Sequence, residues 1–140
     1  LDPRLGNALF STGGAKAVDI GDGTAVSVAK GSENNDPFRI RDGRIVKAAN
    51  HAGGILGGIS DGSDIVMRAH IKPTPSIFRP QETAGADGQE RTVSIRGRHD
   101  PVIVPRAVVV VECMAALTVT DLLFSNMSAR LDKILSFYGK

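Results

Sequence analysis

The 140-residue chain has no tryptophan, one tyrosine and one cysteine. So few aromatic rings leave little on which nucleic-acid bases could stack. No run of lysine and arginine compensates. Lys and Arg total 17 against 15 Asp and Glu, for a net charge of +2 and a pI of about 8.9. That balance excludes a strong phosphate-backbone footprint, and no nucleic-acid partner is expected. The lone Cys113 excludes an intrachain disulfide, which suits a reducing, cytoplasmic setting. The three histidines, His51, His70 and His99, lack metal-ligand spacing, so no metal is expected. Leu1–Phe10 has no basic region followed by an apolar run, as a signal peptide would. What the chain does have is 41% hydrophobic and 23% charged residues, the balance of one soluble globular domain over residues 1–140.

The stretch that organises the rest is GRHDPVIVPRAVVVVECMAALTVTDLLFSNM, Gly97–Met127. A charged knot, Arg98-His99-Asp100, opens it, and Pro105 suits the first turn of a helix. From Ala107 to Val119 only Glu112 and Thr118 carry conventional polar groups. Such a segment reads as a central helix buried on nearly every side, too short and too interrupted by Glu112 to span a bilayer. Cys113 within it is expected to be a small buried hydrophobe, and Glu112 to need a partner or a shifted pKa.

Around this helix the sequence predicts smaller elements. Leu1, Leu5, Ala8 and Leu9 have helical spacing, and Gly13-Gly14 stops that helix. Ala15–Ile20 is extended, Gly21-Asp22-Gly23 turns, and Thr24–Ala29 reads as the return strand. Gly31–Phe38 is a loop, and Arg39–Ala48 a hairpin around Asp42-Gly43. Further Asp-Gly pairs at Asp61-Gly62 and Asp87-Gly88 point to an antiparallel component. Ile65–Lys72 alternates Ile65, Met67, Ala69 and Ile71 against Val66, Arg68, His70 and Lys72, so one face is apolar and one mostly basic. Gln89–Gly97 is a further strand candidate, and Ser128–Tyr138 a terminal helix. The fold class is α+β.

Three segments carry candidate chemistry. NHAGGILGGISDG, Asn50–Gly62, has the glycines for close approach to a phosphate or a flat ring, yet it fits neither a P-loop nor a dinucleotide fingerprint. The alternative is a tight structural loop, with His51 as a local hydrogen-bonding residue. Lys72-Pro73-Thr74-Pro75-Ser76 sets a cation and two hydroxyls on a proline-restricted backbone, which suits a phosphate monoester or an ordinary strand end. Arg98-His99-Asp100 offers an anion-binding fork, a titratable ring and a carboxylate. The alternative is a helix-entry salt bridge with Asp100 near the helix N-terminus.

In order along the chain, KAVDIGDG, GSENND, NHAGGILGGISDG, KPTPSI, GRHDP and PRAVVVVECMAAL resemble the C-terminal portion of the chorismate synthases. That resemblance implies part of a β-α-β sandwich, with buried central helices packed against antiparallel sheet, in a homotetramer. It implies a lyase of the shikimate pathway to the aromatic amino acids. The reaction is a trans-1,4 elimination of phosphate from 5-enolpyruvylshikimate 3-phosphate to give chorismate, and it requires reduced FMN. NADP is associated with the same family. Carried over by residue, the resemblance implies flavin contacts at Gly13, Gly14, Gly57, Lys72, Pro73, Thr74, Pro75, Ser76 and Arg98. It also gives Asp100, beside Arg98, a role in proton transfer by way of the flavin ring.

The chain departs from the family pattern at Thr12–Gly14, at Ala17 and at Thr24. The family's two catalytic histidines lie in an N-terminal half that this sequence lacks, and none of His51, His70 or His99 matches either. The chain begins without an initiator Met, as a piece of a longer protein would, and it is expected to be inactive alone. Two other classes stay open: a non-catalytic oligomerising half, and a free-standing flavin- or phosphate-binding module.

Overall fold

The computed structural model describes residues 1–139. Helix α1, Asp2–Phe10, has Pro3 in its first turn and Asp2 beside its N-terminus, both favourable there. Leu5, Ala8 and Leu9 fall on one face and are buried, Leu5 and Leu9 completely. With Ala15 and Ile55 they make up the buried apolar core. Strand β1, Ala15–Ile20, returns along α1 and pairs antiparallel with a strand far along the chain, β6, Met67–Ile71.

Between them lie two tight hairpins. Strands β2, Phe38–Arg41, and β3, Arg44–Lys47, flank Asp42-Gly43, whose φ angles of 51° and 71° are those of a type I′ turn. Strands β4, Ile55–Leu56, and β5, Ile59–Ser60, flank Gly57-Gly58, with φ of 60° and 82°. After β6, strands β7, Gln81–Ala84, and β8, Glu90–Val93, form an exposed hairpin around Asp87-Gly88. Helix α2, Val104–Met127, then crosses against α1 and β6, and α3, Leu131–Tyr138, ends the described chain.

The α+β class and the antiparallel pairing agree with the sequence reading; several details differ. Gly23–Ser27 is a 3₁₀ helix, not a return strand. The edge of β1 belongs to β6, and Asp22 is turned toward the glycine-rich loop, its backbone N–H bonded to the His51 carbonyl at 2.9 Å. β7 was not anticipated, because Gln, Glu and Ala are poor strand formers.

α2 is also longer than Ala107–Val119. The Thr118 and Thr120 hydroxyls bond back to the carbonyls of Met114 and Ala116, so these polar residues do not end the helix. At 24 residues it is long and apolar enough to cross a membrane by length and composition, so the expectation of a helix too short and too interrupted by Glu112 to do so is not met, although core helices of soluble proteins pass the same test.

Finally, none of its residues is buried within this chain, and Glu112 and Cys113 are both exposed. The expectation of a helix covered on every side is therefore not met here. α1 and β6 lie against it, and the remaining apolar faces have no covering element among the described residues. An open apolar groove of about 500 Å³ runs between Met67, Ala69 and Ile71 of β6 and Val104, Val108 and Val111 of α2.

Candidate functional site

The β1–β6 ribbon brings together two of the segments singled out in the sequence. The backbone N–H of Lys72 donates to the Gly14 carbonyl at 2.7 Å, so Gly13-Gly14 and Lys72–Ser76 leave the same end of the ribbon side by side. Gly14 has φ of +87°, and a Cβ there would touch Ile71 and Ile103 at about 3.5 Å. Ile103 immediately precedes α2, so the approach to that helix reaches the same end.

A side-chain bond closes the third side. Ser76 Oγ lies 2.9 Å from His99 Nδ1, which ties Lys72–Ser76 to Arg98-His99-Asp100. Three segments widely separated in sequence thus meet where α1 ends, β6 ends and α2 is about to begin.

Within this cluster Asp100 does not pair with Arg98, as its position in sequence suggested. Its carboxylate accepts both guanidinium nitrogens of Arg106, at 2.8 and 3.4 Å. The chain bends at Pro101 and starts α2 at Val104, which puts Arg106 in the helix's first turn and opposite Asp100. Nor does Asp100 cap the helix, because the N-cap is Ile103 and no side chain bonds the first turn. Arg98 and Lys72 make no ion pair among the described residues, and both are exposed cations at the cluster.

Two hydroxyls here are buried and without a hydrogen-bond partner among the described residues, Thr74 Oγ1 and Thr12 Oγ1. A buried, unpaired hydroxyl costs about 1–3 kcal/mol, so each is a place where an added polar group would be stabilising. Thr74 lies in the predicted flavin segment. Thr12 adjoins Gly13-Gly14 and was singled out in the sequence only as a departure from the family pattern. The donor set here comprises two unpaired cations, two unpaired hydroxyls and glycine backbone. It fits an anionic cofactor with polar edges, as FMN is.

Gly57 stands apart. The glycine-rich loop roots at the other end of the β1–β6 ribbon, where Gly21 N–H donates to Val66 O at 2.9 Å and Val66 N–H to Gly53 O at 3.2 Å. A Cβ on Gly21 would collide with the His51 carbonyl, so close backbone approach requires glycine there. At the tip, Gly57 has open space around it and is exposed. No bond joins it to Lys72–Ser76 among the described residues.

The loop's base is held by an ion cluster that the sequence did not reveal. Lys47, Asp36 and Asp61 leave only 5%, 8% and 11% of their side chains exposed. Lys47 Nζ reaches Asp36 at 3.3 Å and also bonds Asp61. Asp36 accepts the backbone N–H groups of His51 and Ala52 at 2.7 and 3.0 Å, at the loop's entry. Asp61 accepts that of Ser63 at 2.9 Å, at its exit. One lysine therefore ties both feet of the loop. His51 Nδ1 is a further tie, 2.6 Å from Asp22.

The charges respond accordingly. The Lys47 hydrogen bond and the Ser63 N–H hold the Asp61 carboxyl down to about 2. For Asp36 burial pushes upward, but the Ala52 and His51 N–H groups and Lys47 outweigh it and bring it below the ordinary value of 3.8. Asp61 first, and then Asp36, against the opposing effect of burial, raise the Lys47 ammonium above 10.5. A depressed carboxylate contributes stability above its unfolded pKa and loses it as the pH falls through its folded one. Thermal stability should therefore fall as the pH drops from about 4 toward 2. Lys47→Met should flatten that dependence and lower Tm well below the change from Lys30→Met, which removes only the exposed Lys30–Glu33 pair. Melting curves across pH check both; equal effects of the two substitutions would contradict the role of the cluster.

The family model for chorismate synthase matches residues 1–124. The chain belongs to the chorismate synthase family. It is 56% identical over 140 residues to a chorismate synthase of Lachnospira eligens, which covers all of this chain and 38% of that protein. Against the chorismate synthase of Archaeoglobus fulgidus it is 54% identical over 122 residues, 86% of this chain and 34% of that one. A crystal structure of chorismate synthase superposes with a TM-score of 0.70 at 29% identity, covering 91% of this chain and 31% of the other. The chain thus spans well under half the length of these relatives. It carries the family's fold over that span.

Proposed function

We propose that this chain is the flavin-binding C-terminal portion of a chorismate synthase. The full-length protein would eliminate phosphate from 5-enolpyruvylshikimate 3-phosphate in a trans-1,4 sense to give chorismate. The observation that carries this reading is the convergence of Gly13-Gly14, Lys72–Ser76 and Arg98–Asp100, with the buried Thr12 and Thr74 hydroxyls left unpaired among them.

Bound reduced FMN would supply an electron-rich ring beside the substrate. The chain's own residues do the rest. Lys72 and Arg98 attract and orient anionic groups, and Thr12 and Thr74 offer hydroxyls from the walls. Pro73 and Pro75 stiffen the segment that carries them, and Gly13 and Gly14 let the backbone approach closely. Asp100 can take up a proton at its carboxylate as the substrate loses its C6 hydrogen. Gly57, on its separate loop, is the remaining flavin contact in this reading. The apolar faces of α2 left uncovered here support packing against the rest of the enzyme and against further copies in a homotetramer. A cytoplasmic location agrees with the lone Cys113.

The decisive measurement is chorismate formation by the full-length protein, supplied anaerobically with reduced FMN and 5-enolpyruvylshikimate 3-phosphate. The 140-residue chain alone should form none, because no histidine in it matches the family's catalytic pair. A normal rate from the isolated chain would overturn this division of the site.

A further inference from the structure

We propose that His99 is a positioning residue that turns the Ser76 hydroxyl into an outward-facing acceptor, so that this position takes an N–H at the edge of a flavin ring and not a phosphate oxygen. The inference rests on the flavin reading above and narrows it.

The ring of His99 is held on three sides. Its Nε2 lies 3.1 Å from the Ile95 carbonyl oxygen, its Nδ1 lies 2.9 Å from Ser76 Oγ, and Phe78 packs against it edge-to-face, with centroids 4.6 Å apart and planes at 86°. Phe78 is itself tied down, since its carbonyl accepts the Ser94 hydroxyl at 2.7 Å. The ring therefore cannot exchange its two nitrogens without breaking both bonds.

Chemistry then fixes the hydrogen positions. A carbonyl oxygen only accepts, so Nε2 must carry the proton that it donates to Ile95. In the neutral imidazole the other nitrogen is then bare and accepts. Ser76 has a single O–H, and it is committed to Nδ1. What remains on Oγ is lone-pair density. A phosphate oxygen is also an acceptor and would meet that density unfavourably, whereas a ring N–H would be bonded by it. Lys72, an unpaired cation four residues earlier, is the group in this segment suited to negative charge. The segment thus divides its labour, with charge recognition at one end and ring-edge recognition at the other.

The test compares FMN with riboflavin, which has the same ring and no phosphate, in the full-length protein. Dissociation constants are read by flavin fluorescence at about pH 8, above the range in which an ordinary imidazole charges. Ser76→Ala should weaken both ligands by the same factor, about three- to tenfold for a neutral hydrogen bond. His99→Phe keeps a ring against Phe78 but frees the hydroxyl. It should weaken both ligands similarly, and adding Ser76→Ala to it should cost little more. His99→Asn returns an acceptor near the place of Nδ1 and should restore much of the affinity, which a purely structural role for the ring would not predict. Melting curves confirm that each variant is folded at the assay temperature.

Loss of FMN affinity in Ser76→Ala with riboflavin untouched would place Ser76 at the phosphate and overturn the proposal. So would wild-type affinities in His99→Phe. If the wild-type protein binds neither flavin, the flavin reading itself fails and this inference falls with it. If wild type binds both but only the His99 variants behave like wild type, the flavin reading stands and the positioning role alone is lost.

Discussion

Asp100→Asn in the full-length protein should lower chorismate turnover by about 10²–10⁴, the usual range for a group that transfers a proton. Flavin affinity and melting temperature should stay close to wild type. Asn keeps the shape of the side chain and can still accept from Arg106, but it cannot take up a proton. Three features of the geometry favour this outcome. Asp100 does not cap α2, so the substitution removes no helix-end bond. Its pairing with Arg106 is exposed on the arginine side, and such pairs contribute little to stability. It also belongs to the same short segment as His99, which touches Ser76. Arg106→Gln is the companion measurement. If Asp100 acts only as the partner of Arg106, both substitutions should produce the same small effect on stability and neither should change the rate. A full rate in Asp100→Asn would remove the residue from the chemistry.

How much of this could be read from sequence depended on how local each cause was. α1 was legible because Leu5, Ala8 and Leu9 repeat at helical spacing and glycines follow. The β2–β3 hairpin was legible because Asp42-Gly43 accepts the positive φ that its turn requires. The alternation of β6 was legible because one face packs toward α2 while Arg68 and His70 face out.

The failures are non-local. Nothing near Thr24–Ala29 says that β1 finds its partner some fifty residues later, at Met67–Ile71. Asp100 seemed to belong to Arg98, two residues away, until the bend at Pro101 brought Arg106 to it. Lys47, Asp36 and Asp61 look like ordinary surface charges, and only the folded chain shows that they bury one another under the glycine-rich loop. The cover over α2 was inferred from its apolar pattern, but α1 and β6 lie against it without burying any of its residues.

The resemblance named candidate site residues but not how they sit in space. Family resemblance placed Gly13, Gly14, Lys72–Ser76 and Arg98–Asp100 in one site, and the fold joins them through the Lys72–Gly14 and Ser76–His99 bonds. It did not point to the unpaired hydroxyl of Thr12, because such a group is visible only once its surroundings are folded. Nor did it anticipate that Gly57 would lie on a loop rooted at the opposite end of the ribbon.

Lys72→Ala should produce the largest loss of FMN affinity of any single substitution at the cluster. The backbone N–H of Lys72 is spent on Gly14, so the residue's position is fixed by the ribbon and does not depend on its side chain. Its ammonium is exposed, with no carboxylate partner among the described residues, and Pro73 follows at once to limit where the chain can go. A charge-assisted hydrogen bond to an anion is worth about 1.5–3 kcal/mol, which is about a ten- to 150-fold change in dissociation constant. Because the side chain supports nothing else, Tm should not move. Lys72→Arg keeps the charge but replaces a compact ammonium with a planar fork, so it should recover only part of the affinity. The dependence on salt separates charge from shape. Wild-type binding should weaken as ionic strength rises, and Lys72→Ala should be markedly less sensitive. Riboflavin gives the final control. If Lys72 meets the phosphate, its removal should leave riboflavin binding almost unchanged, the opposite of what is expected for Ser76. Equal losses for FMN and riboflavin would instead put Lys72 at the ring, and unchanged affinity for both would take it out of the site.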